Sequence, residues 1–128
     1  MRLFTLILFT LFLAACSPQS PVIEVTAAYD FGPVVKGEIA TVELPVTNSG
    51  SAPLVIEAVS TSCGCTTATL SAMTINPGQE AILSVAYDTA AHESDMGLME
   101  RIVFLATNDQ ANEDVMIRFT ALVELPGQ

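Results

Sequence analysis

The sequence predicts an all-β domain built as an antiparallel sandwich of about seven strands. After position 22, apolar and polar residues alternate with a period of two, and turn residues interrupt the alternation at short intervals. No segment beyond the N-terminal apolar run shows sustained helical periodicity. About seven short strands over roughly a hundred residues are typical of an immunoglobulin-like sandwich, and a small closed barrel is the alternative.

The N-terminus has the pattern of a cleaved signal helix. Arg2 is positively charged, residues 3–13 are almost entirely apolar, and small residues follow. The apolar run is shorter than the about 20 residues that cross a bilayer, so a signal peptide is favoured over a transmembrane helix. Residues 13–16 (LAAC) resemble the bacterial lipobox. We therefore predict a lipoprotein signal peptide over 1–15 and lipidation of Cys16.

The lipobox resemblance implies a diacylglyceryl group on the cysteine, which contains two acyl chains. Two or more acyl chains hold a protein at a membrane stably, whereas one holds it only marginally, so a permanent anchor is predicted. Residues 16–21 form a short polar tether, which places the predicted domain, residues 22–125, close to the bilayer. Ser17, rather than an aspartate, follows the cysteine and favours the outer membrane. The expected location is the bacterial cell envelope, on the periplasmic side of the outer membrane, with the lipid bilayer as one partner.

The acidic composition excludes two classes of function. The sequence has 4 Lys and Arg against 14 Asp and Glu, and a formal net charge of −10. Such a surface repels nucleic acid and anionic lipid headgroups, so neither is an expected binding partner for the domain surface. The charge provides solubility or favours cationic partners. The high apolar content argues against disorder.

The first half of the domain contains three predicted strands. Residues 22–27 and 41–47 alternate, and residues 30–33 (DFGP) between them are expected to form a turn that carries one aromatic side chain. Pro45 cannot donate a ladder hydrogen bond, so its strand is expected at an edge or at a bulge. In 54–59 the apolar spacing changes from two residues to three, which predicts a bulge before the cysteines.

The second half contains four more predicted strands. A short run rich in β-branched residues spans 66–70. In residues 76–79, Pro77 and Gly78 occupy the second and third positions, as a type II turn requires. An exposed loop is expected at 88–98, and the remaining strands are expected at 80–87, 102–106 and 115–124.

Cys63 and Cys65 are the candidate functional residues, and their sequence leaves three interpretations open. The first is a local disulfide. Residues i and i+2 of an extended strand lie about 6.6 Å apart at Cα, whereas a disulfide needs Cβ atoms about 3.5–4.5 Å apart. Bridging therefore requires a bend, which Gly64 can supply. Such a tight ring is expected to be reduced more readily than a long-range bridge.

The second interpretation is a soft-metal site that prefers Cu(I) to Zn(II), because two thiolates suffice for Cu(I) whereas a closed zinc site needs about four ligands. His92, Met96 and Met73 are possible auxiliary ligands, although no spacing demands them. The third interpretation is that Cys63 and Cys65 pack as small apolar groups.

The acidic loop near position 92 is most simply interpreted as solvated. Glu93 and Asp95 are too few for a calcium site. No feature of the sequence brings His92 beside Cys63, and acidic surroundings disfavour a thiolate.

Several motifs together resemble a known family. Residues 62–66 (SCGCT) match its hallmark, and residues 29–34, 46–56, 75–78 and 107–108 match its opening motif, its strand–turn–strand and its later turns. The chain resembles the bacterial domain-of-unknown-function family numbered fifteen seventy-three, which is similar to immunoglobulin-like domains of the major-sperm-protein and Hydin type. The resemblance implies the fold and an envelope location, often as a lipoprotein. It implies no established biochemical activity.

The sequence contains neither a glycine-rich phosphate loop nor a Gly-x-Ser-x-Gly elbow. We therefore predict a non-enzymatic binding or structural module at the cell envelope, with an envelope protein as partner and no cofactor. The alternative is a Cu(I)-binding or thiol-redox protein that uses Cys63 and Cys65.

Overall fold

The computed structural model describes residues 16–127, which form an all-β domain of nine strands. The predicted signal peptide lies outside these residues. Within them, no helix is long and apolar enough to cross a membrane. The strands are β1 (Ile23–Glu24), β2 (Ala28–Val35), β3 (Ile39–Asn48), β4 (Leu54–Thr61), β5 (Thr66–Leu70), β6 (Thr74–Ile75), β7 (Glu80–Asp88), β8 (Gly97–Thr107) and β9 (Asp114–Glu124).

Two sheets make up the domain. One has four strands in the order β1-β3-β7-β5, and the other has five strands in the order β2-β9-β8-β4-β6. Neighbouring strands are antiparallel except β2 and β9, which run parallel. The predicted all-β class is confirmed. Two details are corrected, because the described residues form nine strands rather than seven and one pair is parallel.

The corrections have local causes. Strand β2 passes through residues 30–33, where a turn was predicted, because β9 supplies a parallel ladder on both sides of the turn signal. That signal produces an irregularity instead. Gly32 has a φ of 72°, and the register shifts between Asp30 and Pro33. Strands β1 and β6 contain two residues each, too few to produce a period-two pattern.

Other local predictions agree with the structure. Strand β1 pairs only with Thr47 and Asn48, so the rest of β3, including Pro45, has no partner on that side among the described residues. The predicted bulge lies in β4, where the register against β8 shifts between Ile56 and Ala58.

The core fills the space between the sheets and divides into two clusters. The larger one contains most of the fully buried aliphatic side chains. The smaller one includes Cys65. The side chains of its members are each 8% exposed or less: Val34, Cys65, Tyr87, Ala121 and Val123.

The sandwich has two ends, which the β3–β7 register defines. Ile39 pairs with Asp88 at one end and Thr47 pairs with Glu80 at the other. At about 3.4 Å per residue, a strand of this length separates the ends by about 30 Å. We call the end formed by residues 20–22, 48–53, 76–80 and 107–114 the anchor end, and the end formed by residues 36–39, 61–66 and 88–97 the distal end.

The tether docks on the anchor end. The Ser20 carbonyl accepts a hydrogen bond from the Ser51 amide at 2.9 Å. The Val22 amide donates to Asn48 Oδ1 at 3.2 Å. A Cβ at Gly50 would lie 2.3 Å from the Ser20 oxygen, so only glycine allows this close approach. The first of these contacts is made by Ser20, so only residues 16–19 of the tether precede the contacts with the domain.

Candidate functional site

Three connections pass from one sheet to the other at the distal end. They are residues 36–38 between β2 and β3, residues 62–65 between β4 and β5, and residues 89–96 between β7 and β8. The cysteines lie on the second connection and His92 lies on the third. The topology therefore brings together residues that the sequence separates widely.

The two cysteines form a disulfide within a β-turn. Their sulfurs are 2.09 Å apart and their Cα atoms 5.1 Å apart. The Thr66 amide donates to the Cys63 carbonyl at 3.1 Å and closes the turn. Gly64 does not have a positive φ, and an ideal Cβ there would have no atom within 4 Å. The predicted bend is present at Gly64, but its backbone conformation and the open space around it do not require glycine.

The two sulfurs differ in their surroundings. Cys65 is 3% exposed and belongs to the smaller core cluster, whereas Cys63 is partly exposed and packs at its edge. The Cys65 amide donates to Cys63 Sγ at 3.1 Å. The Thr61 hydroxyl donates to the carbonyls of Cys63 and Thr66, which fixes both arms of the turn.

Arg101 donates directly to the buried sulfur. Its Nε lies 3.0 Å from Cys65 Sγ, and its Nη2 lies 2.5 Å from Asp95 Oδ2. The Arg101 and Asp95 side chains are 12% and 6% exposed. The guanidinium carbon also lies 4.9 Å from the centre of the Tyr87 ring. Sulfur, carboxylate and ring together fix the position of the guanidinium.

The ion pair stays charged at neutral pH. Burial by itself raises the pKa of Asp95, but hydrogen bonds from Arg101 and Tyr87 and the Arg101 charge outweigh burial and hold this pKa below its ordinary value. The Tyr87 hydroxyl donates to Asp95 Oδ2 at 2.9 Å. Burial, followed by this hydrogen bond, raises the pKa of Tyr87 to about 12. Asp95 is therefore ionised and Tyr87 is neutral.

His92 reaches the other sulfur. Its Nε2 lies 3.3 Å from Cys63 Sγ, and the imidazole is exposed. Lys36 Nζ donates to the carbonyls of His92 and Asp95, which ties the third connection to the first. The prediction that this loop is solvated is wrong for Asp95, which is 5% exposed.

The remaining predicted residues lie elsewhere or make no contact that we can assign to the site. Met96 follows Asp95 and is 39% exposed. The Met73 carbonyl accepts a hydrogen bond from the Ile56 amide, so Met73 lies beside the first half of β4, away from the cysteines. Cys16 is exposed at the start of the tether and forms no disulfide with another described residue.

The sequence analysis missed Arg101, Tyr87 and Lys36 as site residues. One signal was available, because Arg101 is among only 4 Lys and Arg in a chain of 128 residues and directly precedes the strand predicted at 102–106. A cation in such a position needs a partner when the strand is buried. The strand pattern could not name that partner, because Asp95 and Cys65 reach it from two different connections.

Solved structures of several other proteins are similar to this chain. A protein of unknown function from Porphyromonas gingivalis W83 is 24% identical with a TM-score of 0.76, covering 87% of this chain and 50% of that one. The VesB protease of Vibrio cholerae is 14% identical with a TM-score of 0.63, covering 77% and 31%. The PapD-like domain 7 of human CEP192 is 11% identical with a TM-score of 0.57, covering 94% and 96%.

The last of these likenesses shows a PapD-like β fold. The chain spans half the length of the Porphyromonas protein and about a third of the protease. No curated protein matches the sequence. Residues 23–123 match the family described as "Protein of unknown function (DUF1573)", and the chain belongs to that family.

Proposed function

We propose that this protein is a bacterial envelope lipoprotein whose immunoglobulin-like domain binds a partner protein through its distal end. The observation that carries the proposal is the placement of the tether. Ser20 and Val22 bond to the anchor end, whereas the disulfide, Arg101 and His92 lie at the opposite end. A lipid on Cys16 holds the anchor end towards the bilayer, so the distal connections face away from it.

The distal end has the features of a contact surface. It consists of connections held by a rigid sandwich, an arrangement that commonly serves recognition. Its polar side chains are ordered by Lys36 and by the Arg101–Asp95 pair, so little side-chain freedom remains to be lost when a partner binds. The role proposed here is non-enzymatic and needs no cofactor.

Lipidation is tested first. Mass spectrometry of the full-length protein from bacterial membranes is expected to show a diacylglyceryl group on Cys16 and loss of residues 1–15. The Cys16→Ser variant should lack both changes. An unmodified Cys16 in the native protein contradicts the anchor.

Partner binding is tested by site-specific photo-crosslinking of the lipidated protein in intact cells. A crosslinker at Glu93, which is exposed at the distal end, should capture a discrete envelope protein. The matched control is Gln79, which is also exposed and lies at the anchor end. No discrete product from Glu93, or the same product from both positions, contradicts the proposal.

A second candidate function is binding of a soft metal by the reduced protein. Cys63 Sγ, Cys65 Sγ and His92 Nε2 all lie within 4.8 Å of one another. Two sulfurs and one imidazole suit three-coordinate Cu(I), whereas a closed zinc site needs a fourth ligand. The two sulfurs are bonded to each other in the structure, so this function requires reduction first.

Titration of the reduced protein with Cu(I) tests this candidate. We expect one equivalent to bind to the wild type, more weakly to His92→Ala, and not to a Cys63→Ser/Cys65→Ser variant. Equal binding by all three proteins contradicts a metal site at these residues.

A further inference from the structure

We propose that the Cys63–Cys65 bridge is a thiol–disulfide exchange site with a fixed direction. An external thiolate attacks Cys63 Sγ, and Cys65 leaves as a thiolate next to Arg101. This inference concerns the chemistry of the bridge and does not depend on the partner-binding proposal.

Exposure decides which sulfur is attacked. Attack on one sulfur of a disulfide releases the other, so access determines the direction of exchange. Cys65 is 3% exposed and packs against Tyr87 and Val123 in the smaller core cluster. Cys63 is partly exposed. An incoming sulfur can therefore approach Cys63, and Cys65 is the leaving group.

The surroundings of Cys65 suit a leaving thiolate. Arg101 Nε already lies 3.0 Å from Cys65 Sγ, with its N–H directed at the sulfur. A neighbouring guanidinium stabilises a thiolate, and a better leaving thiolate departs faster. The contact needs no rearrangement, because Asp95 and Tyr87 already fix the guanidinium. The acidic surroundings expected to disfavour a thiolate are thus offset at this atom.

Cys63 has its own stabilising contacts, which act in the second step. The Cys65 amide lies 3.1 Å from Cys63 Sγ and His92 Nε2 lies 3.3 Å from it. Both groups can donate to Cys63 once its sulfur is released as a thiolate. The site therefore provides donors for both sulfurs of the reduced pair.

The exchange balances in two steps. In the first, a thiolate RS⁻ forms a bond to Cys63 Sγ, the Cys63–Cys65 bond breaks, and its electron pair stays on Cys65. In the second, another thiolate attacks the R sulfur of the mixed disulfide, giving RSSR and the Cys63 thiolate. Two external thiols are oxidised to one disulfide, their two protons pass to water or to the new thiolates, and the bridge is reduced. The same steps in reverse reoxidise the pair.

The reacting thiol is constrained by charge. The chain has a formal net charge of −10, so anionic thiols are repelled from it. We expect a neutral dithiol such as dithiothreitol, or a cationic thiol such as cysteamine, to react faster than anionic glutathione at low ionic strength. Added salt should reduce this difference.

The first experiment maps the direction of attack in the wild-type, full-length protein in detergent. Cysteamine is added, the reaction is quenched with an alkylating reagent, and the mixed disulfide is located by peptide mass spectrometry. The expected product has cysteamine on Cys63 and the alkyl group on Cys65. Cysteamine on Cys65, or an equal distribution, overturns the proposal. This test uses no variant, so a folding defect cannot obscure it.

The second experiment measures the role of Arg101. We expect Arg101→Met to slow reduction of the bridge by dithiothreitol about tenfold, because the leaving thiolate loses its charged donor. Arg101→Lys should recover part of the rate. The matched control is Arg118→Met, because Arg118 is exposed and pairs with Glu100. Its rate should equal that of the wild type.

An equal rate for Arg101→Met and the wild type overturns the role of Arg101 and identifies the bridge as purely structural. Unfolding in urea is measured for every variant with the bridge intact. A slower reduction of the bridge is therefore interpreted only for variants that this measurement shows to be folded. A slower rate that Arg101→Lys does not recover at all also contradicts stabilisation by charge.

Discussion

Both ends of the sandwich contain buried polar side chains, but the partners of these side chains differ. At the anchor end, Asn48 is 0% exposed, accepts from the Val22 amide and donates to the Ile75 carbonyl. Asp109 is 3% exposed and accepts from the Ile23 amide. These three bonds join a side chain to the backbone, and Asn112 Nδ2 adds one bond between side chains by donating to Asp109 Oδ2 at 3.0 Å. The three backbone bonds satisfy groups that strand ends leave unpaired, so their effect is on stability.

At the distal end, Lys36 and Thr89 also bond to the backbone, but the side chains around Cys65 bond to one another. Arg101 contacts Asp95, Tyr87 and Cys65, and Tyr87 also donates to Asp95. This network leaves a cation beside a reactive sulfur. The comparison teaches that a buried polar cluster suggests chemistry when it converges on a reactive atom, and suggests architecture when it ends on backbone groups. Substitutions at the two ends should separate these effects.

The largest effect is expected at the anchor end. Asn48→Ala should lower the free energy of unfolding by about 4 kcal/mol, because four buried or partly buried backbone groups lose their partners. The rate at which dithiothreitol reduces the bridge in the folded protein should not change. Urea unfolding and thiol alkylation measure the two quantities. The control is Ser51→Ala, which removes one exposed hydrogen bond to the Ser20 amide. A slower reduction in Asn48→Ala breaks the comparison.

Asp95→Ala is expected to have the largest effect at the distal end. It leaves the Arg101 guanidinium without its carboxylate, and removing one partner of a buried pair costs about 3 kcal/mol. Reduction of the bridge should also be slower, because the guanidinium is no longer held at Cys65. Loss of stability with an unchanged reduction rate would show that the network is architectural, like that of the anchor end.

Acid should weaken both ends. The pKa of Asp95 is lowered in the folded protein, so its contribution to stability is complete above the ordinary carboxyl pKa of about 4 and is lost as the pH falls through the lower folded value. The pKa of Asp109 is lowered chiefly by its hydrogen bond from Asn112, which acts with backbone donors against burial. The contribution of Asp109 to stability is therefore also lost as the pH falls.

The unfolding free energy of Asp95→Asn and of Asp109→Asn should therefore decrease less steeply below about pH 4 than that of the wild type. Urea titrations at several acidic pH values measure these slopes. A wild-type slope in either variant contradicts the assigned pKa direction for that residue.

Removal of the bridge should have a smaller effect. Cys63→Ser/Cys65→Ser is expected to lower the free energy of unfolding by about 1–2 kcal/mol, because a disulfide that closes such a short loop restricts the unfolded chain only slightly. Calorimetry of the variant and the oxidised wild type measures the difference. A loss of about 4 kcal/mol or more would assign the bridge a structural role comparable to Asn48.

The smallest effects come from two glycines. Gly50→Ala should cost about 1 kcal/mol, because the tether must move away from the new Cβ. Gly64→Ala, within the disulfide turn, should change stability by less than about 0.5 kcal/mol and leave the bridge intact, since a Cβ there has open space. Hydrogen exchange at the Ser51 amide should increase only in Gly50→Ala. A reduced, open bridge in Gly64→Ala would contradict this.

The sequence predicted the parts of the fold that depend on local pattern. Alternation located most strands, and the turn at 76–79 has Gly78 at a φ of 76°, with the Gln79 amide donating to the Asn76 carbonyl at 3.0 Å. It did not predict β2, because the turn residues in 30–33 are overridden by a parallel partner that lies ninety positions away in the chain.

The candidate site was only half predictable. Cys63 and Cys65 were identifiable because they are two soft side chains close together in the sequence. Arg101 and Asp95 were not, because nothing local indicates that a strand residue and a loop carboxylate reach the same sulfur. Their meeting follows from three sheet-to-sheet connections at one end, a property of topology and not of any sequence window.

If the proposed lipid anchor holds copies side by side in a membrane, the prolines in β2 and β3 have a consequence. Confinement to a plane raises local concentration, and open strand edges can then template growth from one molecule to the next. Pro33 lies in the outermost strand of one sheet and Pro45 in the open stretch of β3. Neither has an amide hydrogen to offer a neighbour. Densely packed copies of this protein should resist fibre formation, whereas replacing both prolines with valine should promote it.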